Sequence, residues 1–582
     1  MSLAKKFLPL IAVIILSFWA VKPLLNPGFF PVHDDTQVAR VFEMSKSLKD
    51  GMFPVRWVSD LGFGYGYPIF NFYAPLAYYA GSVFNLAGLD ALFATKIMIG
   101  LGIVLAGIFM YLFAKELFGE AGGVVASLFY IYAPYHAVDI YVRGDVAEFW
   151  AYAFIPLAFY GLWKIYKENK FINVAIGAAG YAGIILSHNL TAMMVTPFLV
   201  VFIFILIAVS YRKKQTKSSL YLISVLLGGL VISCFYWLPA ISEMKYTNVL
   251  SQIGTGGFRY FDNFVCPEQL WSSPWGFGGS APGCVDGLSF MIGKLHIILS
   301  VLSVVVAVAL LSAKKYKDGK ENLLLIVLLF AGFIFSAFMT LEASKFIWQA
   351  VPLMDFFQFP WRFLVMASFF GSVLAGSFIW LIGLFPVKKY LPHLTFGAAL
   401  IIIVILIAVS MKYFITSPIK ESSSGAYSGI YGSNSGLYTT DYYIKWFASG
   451  LTHEYLPKGF IIPKSPAQVS NGKVKIVSGK VQINNLERKP TGYAFTADVI
   501  NPSSVIVPIA YFPFWNISVD GKAGNYSIGN NGIIFNLPVG NHQILIKYDQ
   551  TPVESLADII SIAGIAILLA GIILQAGKRY GR

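Results

Sequence analysis

The stretch LTFGAALIIIVILIAVSM, residues 394–411, decides the class of fold, because it carries no charge over the length of a membrane-spanning helix. A helix needs about 20 largely apolar residues to cross the hydrocarbon core of a bilayer. Similar stretches recur along the 582 residues, of which 57% are hydrophobic and 12% charged. A soluble globular protein carries roughly 25% charged residues. The sequence therefore predicts an α-helical polytopic membrane protein.

About twelve segments are predicted to span the membrane. They are residues 7–25, 91–114, 122–133, 149–163, 171–187, 192–210, 220–240, 295–313, 323–339, 363–385, 394–411 and 556–574. No clear small-residue cleavage site follows the first segment, so we interpret it as an anchor. Residues 68–89 are also apolar, and we expect them to lie in the interface without crossing.

The distribution of Lys and Arg indicates which loops face the cytoplasm. If residues 68–89 do not cross, all basic clusters fall on one side; they lie at residues 5–6, 115, 164–170, 212–217, 314–320, 388–389 and 578–582. Cytoplasmic loops are enriched in these residues, so both termini are predicted to be cytoplasmic. The same pattern accounts for the net charge of +14 without a nucleic-acid partner.

The chain divides into three predicted parts. Residues 1–411 form a transmembrane domain whose outer loop, 26–90, carries an acidic pair. Residues 412–555 form an extracytoplasmic domain, with a β-sandwich from about residue 473, because apolar residues alternate there and Asp520-Gly521 and Asn531-Gly532 are hairpin-turn pairs. Residues 556–582 form the last helix and a basic tail. A cap without catalysis is the commoner role for such a β domain.

The first candidate site is His33-Asp34-Asp35, directly after the first span. Acids at a membrane edge are costly and are functional candidates. Asp34 or Asp35 could act as a general base, or both could bind a divalent cation, Mg²⁺ or Mn²⁺, through oxygen ligands. The alternative is a solvated loop in which Asp35 caps the following helix.

Three further candidate stretches are predicted on the same outer face. Arg143 can bind phosphate through its fork of donors, with Glu148 nearby; the alternative is a structural Arg–Glu pair. His188 and Asn189 follow a helix end, where a structural role is commoner. Arg362 ends the stretch Gln358-Phe359-Pro360-Trp361-Arg362, with Lys345 in the same loop; the alternative is an aromatic belt with a snorkelling Arg.

The three cysteines indicate one possible cross-link. Cys266 and Cys284 share a loop and could form a disulfide if that loop is extracytoplasmic, although spacing alone does not show the geometry. Cys234 lies within an apolar run and is most simply a small core residue.

These stretches together resemble a known family. An apolar anchor followed by an acidic pair resembles the GT-C glycosyltransferase superfamily. The chain more closely resembles bacterial YfhO-like membrane proteins and a related set labelled 6-pyruvoyl-tetrahydropterin-synthase-related. The matching stretches are His33 to Asp35, Gly64-Tyr65-Gly66-Tyr67-Pro68, Arg143 to Glu148, Ser187-His188-Asn189, Trp275 to Ser280, Gln358 to Arg362, Glu454-Tyr455-Leu456-Pro457, and Tyr511 to Gly521.

The resemblance implies an inverting glycosyltransferase that uses a polyprenyl-phosphate-linked sugar and an extracytoplasmic acceptor in the cell envelope, which is a glycan, a lipid or a protein. It implies that Asp34 or Asp35 is the base or a metal ligand. Arg143, His188 and Arg362, with Lys345, would neutralise the phosphate leaving group. His33, Glu148, Asn189, Gln358 and Trp361 would support the site. The alternatives are a non-catalytic scaffold or a transporter or flippase of lipid-linked sugars, the latter expected to carry polar residues at mid-membrane.

Overall fold

The computed structural model describes residues 3–213, 217–249, 259–313, 319–384, 391–418, 435–529 and 531–580. Some basic residues that carry the argument on sidedness, at 214, 314, 315, 317, 388, 389 and 582, lie outside the described residues. In the described part, the protein is mostly helical and ends in an antiparallel β domain followed by one more long helix.

Helices make up most of the first 413 residues, and a few lie further along the chain. The longer ones are Leu3–Leu16, Gln37–Lys49, Leu76–Leu86, Ala91–Ile131, Val146–Glu168, Phe171–Ser187, Asn189–Arg212, Lys217–Ile232, Cys234–Glu243, Lys294–Ser312, Lys320–Met339, Leu364–Ile382, Leu391–Ser410 and Pro552–Tyr580. Short α-helical turns are Phe18–Val21, Ile69–Phe72, Pro134–Val138, Pro267–Trp271, Lys345–Ala350 and Ser449–Leu451.

Nine of the described helices are long and apolar enough to cross a membrane, and the pair Ser218–Ile232 and Cys234–Tyr246, bent by 65°, makes a tenth. The twelve predicted segments differ from this count for two reasons. Phe171–Ser187 is apolar but shorter than the others. The second reason is that Ala91–Ile131 is counted once, although a break at Gly119 divides it into two helices that correspond to two of the predicted segments.

Gly119 divides the Ala91–Ile131 element into two arms. Its φ of 75° and ψ of 178° are not helical, and glycine adopts such a conformation at little cost. The two arms pack side by side in opposite directions. Ser127 Oγ on one arm donates to the Gly107 carbonyl on the other over 2.8 Å. The element is therefore a helical hairpin, consistent with separate spans on either side of residue 119.

The loop that precedes this hairpin does not span. Its helices Gln37–Lys49 and Leu76–Leu86 have 13 and 11 residues, which is short of the length needed to cross a bilayer. Residues 68–89 are therefore not a further span, as the sequence predicted. Thr36, rather than Asp35, occupies the N-cap of the first of these helices.

Small residues allow the central helices to approach closely. A Cβ at Gly161 would overlap the backbone of Gly177 on the next helix, and a Cβ at Gly122 would lie 2.9 Å from the Gly376 carbonyl oxygen. Such small-residue contacts are typical of helix interfaces in membranes. They bring Val146–Glu168 and Leu364–Ile382 into the buried centre of the bundle, where these helices position residues of the candidate site.

The C-terminal domain is one connected antiparallel sheet of seven strands. They are β1 (Lys475–Lys489), β2 (Gly492–Val507), β3 (Trp515–Val519), β4 (Lys522–Ala523), β5 (Tyr526–Gly529), β6 (Gly532–Leu537) and β7 (Gly540–Tyr548). Strand β2 is central: β1 pairs along one edge, and β7 and β6 share the other. Tyr493, Phe495 and Ala497 alternate inward along β2, as the sequence pattern predicted, whereas β1 is largely exposed.

The sheet packs against the loop 26–90. The Trp57 ring makes edge contacts with the rings of Phe514 and Trp515, with centroids 5.8 Å and 5.1 Å apart. Arg488 of β1 donates to the Ser59 carbonyl over 2.6 Å. Because aromatic rings and charge-assisted hydrogen bonds both cross this contact, the β domain and the loop that carries the acidic pair form one packed unit.

Candidate functional site

The main chain places the acidic pair beside the Arg143 stretch. His33 N–H donates to the Val142 carbonyl over 3.1 Å, and Asp34 N–H donates to the Arg143 carbonyl over 2.9 Å. Two stretches separated by more than 100 residues in the sequence therefore lie edge to edge. The position of Asp34 depends on peptide groups, so it is independent of its own carboxylate.

Gln37 strengthens this junction. Its side chain is fully buried and donates to the Asp34 carbonyl over 2.9 Å and to the Gly144 carbonyl over 2.8 Å. Its amide oxygen accepts a hydrogen bond of 2.7 Å from Tyr78 OH. Each polar atom of the buried amide thus has a partner, as buried amides require. The sequence analysis did not single out Gln37 or Tyr78.

Below the junction lies a buried network of arginines and carboxylates. Arg143 contacts Asp139, donates to Asp145 Oδ2 over 2.6 Å, and has its Nη1 3.0 Å from Glu148 Oε1. Arg362 contacts Glu148, and its Nη1 lies 3.3 Å from Asp145 Oδ2. All five residues are buried. We refer to these five residues as the ion network.

Local structure explains how the carboxylates reach the arginines. Asp145 caps the Val146–Glu168 helix, where its Oδ1 accepts from Glu148 N–H over 3.1 Å, and the positive helix end favours both acids. Arg362 comes from the opposite side, in the 3-10 turn Pro360–Phe363. Glu148 also accepts a hydrogen bond from Tyr135. The network thus joins two spans that are distant in the sequence.

His188 lies next to the carboxylates of the ion network. One ligand atom each from Asp145, Glu148 and His188 lie within 4.8 Å of one another. His188 Nδ1 also lies 2.8 Å from Thr191 Oγ1, and the neighbouring Asn189 accepts a hydrogen bond from Tyr236.

Two carboxylates and an imidazole are a donor set that divalent transition metals bind. These three residues therefore fit a cation better than Asp34 and Asp35, the pair predicted from the sequence. Neither Asp34 nor Asp35 belongs to the group. The arginines that now occupy the carboxylates of the ion network would have to share them with the ion.

Asp34 differs from the acids of the network in its surroundings. Its residue surface is exposed, whereas Asp35 is only 1% exposed. Burial among surrounding protein atoms raises the pKa of Asp34 to about 6; Asp145 adds to this rise, while Arg143, Arg40 and Arg362 oppose it. Nearby protein atoms partly desolvate the Asp34 carboxyl although the residue is exposed, and desolvation disfavours its charged form. Asp34 is therefore an accessible acid that titrates close to neutral pH.

Asp145 titrates in the opposite direction. Burial alone would raise its pKa, but Arg143, followed by His188 and Arg362, holds the pKa of Asp145 below its usual range. Asp34 and Asp145 thus have pKa values that their environments push apart, which is the pattern of carboxylates with different roles in one site.

The loop around the disulfide closes one side of the site. Cys266 and Cys284 are bonded, as their shared loop allowed. His33 Nε2 lies 3.1 Å from the Phe277 carbonyl of that loop, and Trp361 Nε1 donates to Ser280 Oγ over 3.2 Å. The Trp361 ring in turn lies 4.7 Å from the Arg143 guanidinium carbon, a cation–π distance.

Two predicted residues lie apart from the ion network. The Lys345 ammonium is 3.5 Å from Glu342, and both side chains are exposed. Gln358 ends the Pro352–Phe357 turn with a φ of 64°, and none of the described contacts links its side chain to the arginines. Proximity in sequence to Arg362 did not determine where these side chains point.

The Gly-rich stretch 62–68 serves packing. The isolated bridge between Val58 and Tyr67 holds it, and a Cβ at Gly66 would overlap the Trp57 ring. Gly66 also has a φ of 88°. The stretch therefore supports the contact between the loop and the β domain.

Comparisons with known proteins agree with the membrane class. Residues 70–259 match the model of a family described as 6-pyruvoyl-tetrahydropterin synthase related domain, membrane protein, which confirms the resemblance for this part of the chain. A protein of Lactococcus lactis subsp. cremoris (strain MG1363), described as uncharacterized, is 23% identical over 245 residues. The match covers 40% of this chain and about two fifths, 39%, of that relative.

Three solved structures are similar to the chain at low TM-scores. The Archaeoglobus fulgidus oligosaccharyltransferase tethered with an acceptor peptide containing the NVT sequon gives a TM-score of 0.44 at 15% identity, over 81% of this chain and 61% of its own. Its complex with Zn and sulfate gives 0.38 at 14%, over 73% and 57%. ArnT from Cupriavidus metallidurans bound to undecaprenyl phosphate gives 0.30 at 12%, over 66% and 78%. At these TM-scores the likeness is coarse.

Proposed function

We propose that this protein is an integral membrane glycosyltransferase that moves a sugar from a polyprenyl-phosphate-linked donor to an extracytoplasmic acceptor of the cell envelope. One observation carries the proposal: an exposed acid, Asp34, is bonded through its N–H to the Arg143 carbonyl and so lies directly beside a buried set of arginines, carboxylates and His188. A base that faces solvent next to cationic groups is the minimum that transfer from a phosphate leaving group requires.

In the proposed reaction, Asp34 takes the proton of an acceptor hydroxyl. The acceptor oxygen attacks the anomeric carbon, and the bond between that carbon and the phosphate oxygen breaks. The electron pair leaves with the phosphate, so the products are the glycosylated acceptor and the polyprenyl phosphate. A single displacement of this kind inverts the anomeric configuration. Asp34 is better suited than Asp35, because Asp35 is buried.

A divalent cation is compatible with this scheme. Asp145, Glu148 and His188 would hold it. When bound, it would act as a Lewis acid that withdraws charge from the phosphate oxygens.

Two observations support an extracytoplasmic site. The Cys266–Cys284 loop contacts His33 and Trp361, so the disulfide and the site lie on the same side. Disulfides persist in oxidising compartments and are rare in the cytosol. The basic loops fall on the other side in the predicted threading, which puts both termini in the cytoplasm.

A non-catalytic scaffold for envelope assembly is the second candidate, and the ion network favours it. Its three carboxylates already contact two arginines, so the network could serve only to hold two spans together. The two candidates differ in one respect: only the enzyme needs the Asp34 carboxylate, which lies outside the network.

The test is an assay of the purified full chain with a panel of polyprenyl-phosphate sugars and Asp34→Asn. Loss of a general base lowers a rate by roughly 10²- to 10⁴-fold. The variant should fold normally, because main-chain bonds hold residue 34. Asp262→Asn is the matched control, since Asp262 pairs with Arg259 in another loop. If Asp34→Asn transfers sugar at the wild-type rate, the catalytic assignment is wrong and the scaffold remains.

A further inference from the structure

Three buried arginines influence Asp34, and they differ in what neutralises them. Arg143 and Arg362 contact carboxylates of the ion network. Arg40 lies one helical turn after Gln37 and is 4% exposed. Among the described residues, no carboxylate oxygen lies within 4.0 Å of its guanidinium, so Arg40 is the one buried arginine near Asp34 without an ion pair.

The partners of Arg40 are neutral groups that fix its orientation. Nη1 donates to Tyr78 OH over 3.0 Å, and Nη2 donates to Thr452 Oγ1 over 3.3 Å. The Tyr73 ring lies 4.1 Å from the guanidinium carbon. Nε is buried and has no partner among the described residues. Glu454 attracts Arg40 electrostatically without forming an ion pair with it, and Thr452 lies between them, with its Oγ1 3.4 Å from the Glu454 carboxylate.

A buried charge without a partner is costly, so buried charges in proteins are normally paired. A preoriented guanidinium with an unused donor is suited to bind a tetrahedral anion, because its fork of N–H groups matches phosphate geometry. The neutral partners keep the fork aligned without cancelling its charge. Arg40 therefore has the features of an anion site that its ligand completes.

We propose that Arg40 binds the phosphate of the lipid-linked donor, while Arg143 and Arg362 hold the carboxylates of the ion network. This inference rests on the proposed glycosyl transfer. It differs from the expectation from sequence, in which Arg143 and Arg362 neutralise the phosphate. The negative charge that reaches the phosphate oxygen when the sugar–oxygen bond breaks is then stabilised by Arg40. The proton of the acceptor hydroxyl goes to Asp34, on the same stretch of chain.

The proposal is tested by binding alone, without turnover. Polyprenyl phosphate is titrated into the full chain in nanodiscs of neutral lipid and followed calorimetrically, for the wild type, Arg40→Met and the control Arg259→Met, whose arginine is exposed. Arg40→Met should weaken binding roughly ten- to a hundredfold, the effect of losing hydrogen bonds from a charged group. Arg259→Met should bind as the wild type does.

The thermal stability of Arg40→Met without lipid separates a ligand role from a structural one. Tyr78 OH still donates to Gln37, and Thr452 still reaches Glu454, after the guanidinium is removed. The melting temperature of the empty variant should therefore equal or exceed that of the wild type. A markedly lower value would mean that Arg40 is structural, and the proposal would be overturned.

Three other outcomes are decisive. Wild-type affinity in a folded Arg40→Met overturns the Arg40 assignment and leaves the proposed function standing, whereas a wild type that does not bind polyprenyl phosphate overturns the proposed function itself. Inorganic phosphate that binds as tightly as the lipid would show an ordinary anion site and overturn the lipid assignment.

Hydrogen exchange on the wild type gives a test without a variant: the lipid should slow exchange in Gln37–Lys49, and unchanged exchange contradicts the proposal.

Discussion

Glu148 and Arg362 offer a sharp test of the ion network. Both are buried, and they contact each other directly. Removing one partner of a buried ion pair costs about 3–5 kcal/mol, because the other charge is left without compensation. Glu148→Gln and Arg362→Gln should therefore each destabilise the protein by about that amount.

The double variant Glu148→Gln/Arg362→Gln should be more stable than the sum of the single changes indicates. Residues in direct contact show interaction energies of about 0.5–3 kcal/mol. Each single variant leaves one unmatched charge, whereas the double variant leaves Arg143 with Asp145. We expect its loss of unfolding free energy to be smaller than the sum by about 2 kcal/mol, within that range.

The charge state of Asp139 provides the internal control. Burial, followed by repulsion from Glu148, raises the pKa of Asp139 well above its usual range, although Arg143 opposes the rise. Burial therefore favours the uncharged form of Asp139 and weakens its contribution to the pairing with Arg143. Asp139→Asn should consequently destabilise the protein less than Glu148→Gln does, because the amide resembles the uncharged acid.

The assay is unfolding of the purified chain in mild detergent, with denaturant transitions followed by tryptophan fluorescence and near-UV circular dichroism on matched samples. Coincident transitions support the comparison of free energies. If the Glu148 and Arg362 effects add within about 0.3–0.5 kcal/mol, the two side chains are not coupled. A loss in Asp139→Asn as large as in Glu148→Gln would contradict the weaker role of Asp139 in the ion network.

Two more predictions concern pH and packing. Because the pKa of Asp34 is raised to about 6, its basic form is present above that pH and is lost below it. The rate of sugar transfer should therefore fall about tenfold per pH unit below pH 6. A flat pH–rate profile between pH 5 and 7 would contradict the base assignment. Gly66→Ala should lower the melting temperature more than Gly88→Ala, since both glycines have positive φ but only a Cβ at Gly66 meets a neighbour, the Trp57 ring; equal losses would show that the clash is relieved.

Hydropathy and charge predicted much of the fold, because both act through averages over many residues. A run of about twenty apolar residues predicts a membrane span regardless of its tertiary contacts. The structure contains helices at each predicted segment. Gly119 separates Ala91–Ile131 into two helical arms, in agreement with the two segments predicted there.

The site was predicted in part, for a physical reason. Asp34, Arg143 and Arg362 have chemistry that is visible in the residue type, and the structure places them near one another. Lys345 has the same chemistry but pairs with its neighbour Glu342. Only tertiary contacts show which cation is already neutralised.

Arg40 was missed for the complementary reason. Its surroundings include Thr452, more than 400 residues away in sequence, and among the described residues no carboxylate forms an ion pair with it. Asp139 could have been found, since it stands four residues before Arg143 in a helical stretch, a spacing that brings side chains together.

The hydrogen bond from Asp34 N–H to Arg143 has a consequence for how this protein can vary and be altered. Because this bond involves only main-chain atoms, the backbone position of residue 34 does not depend on its side chain. Proline is the exception, because it has no N–H to donate. A substitution at residue 34, natural or engineered, can therefore change the functional group beside the ion network without moving the backbone that carries it.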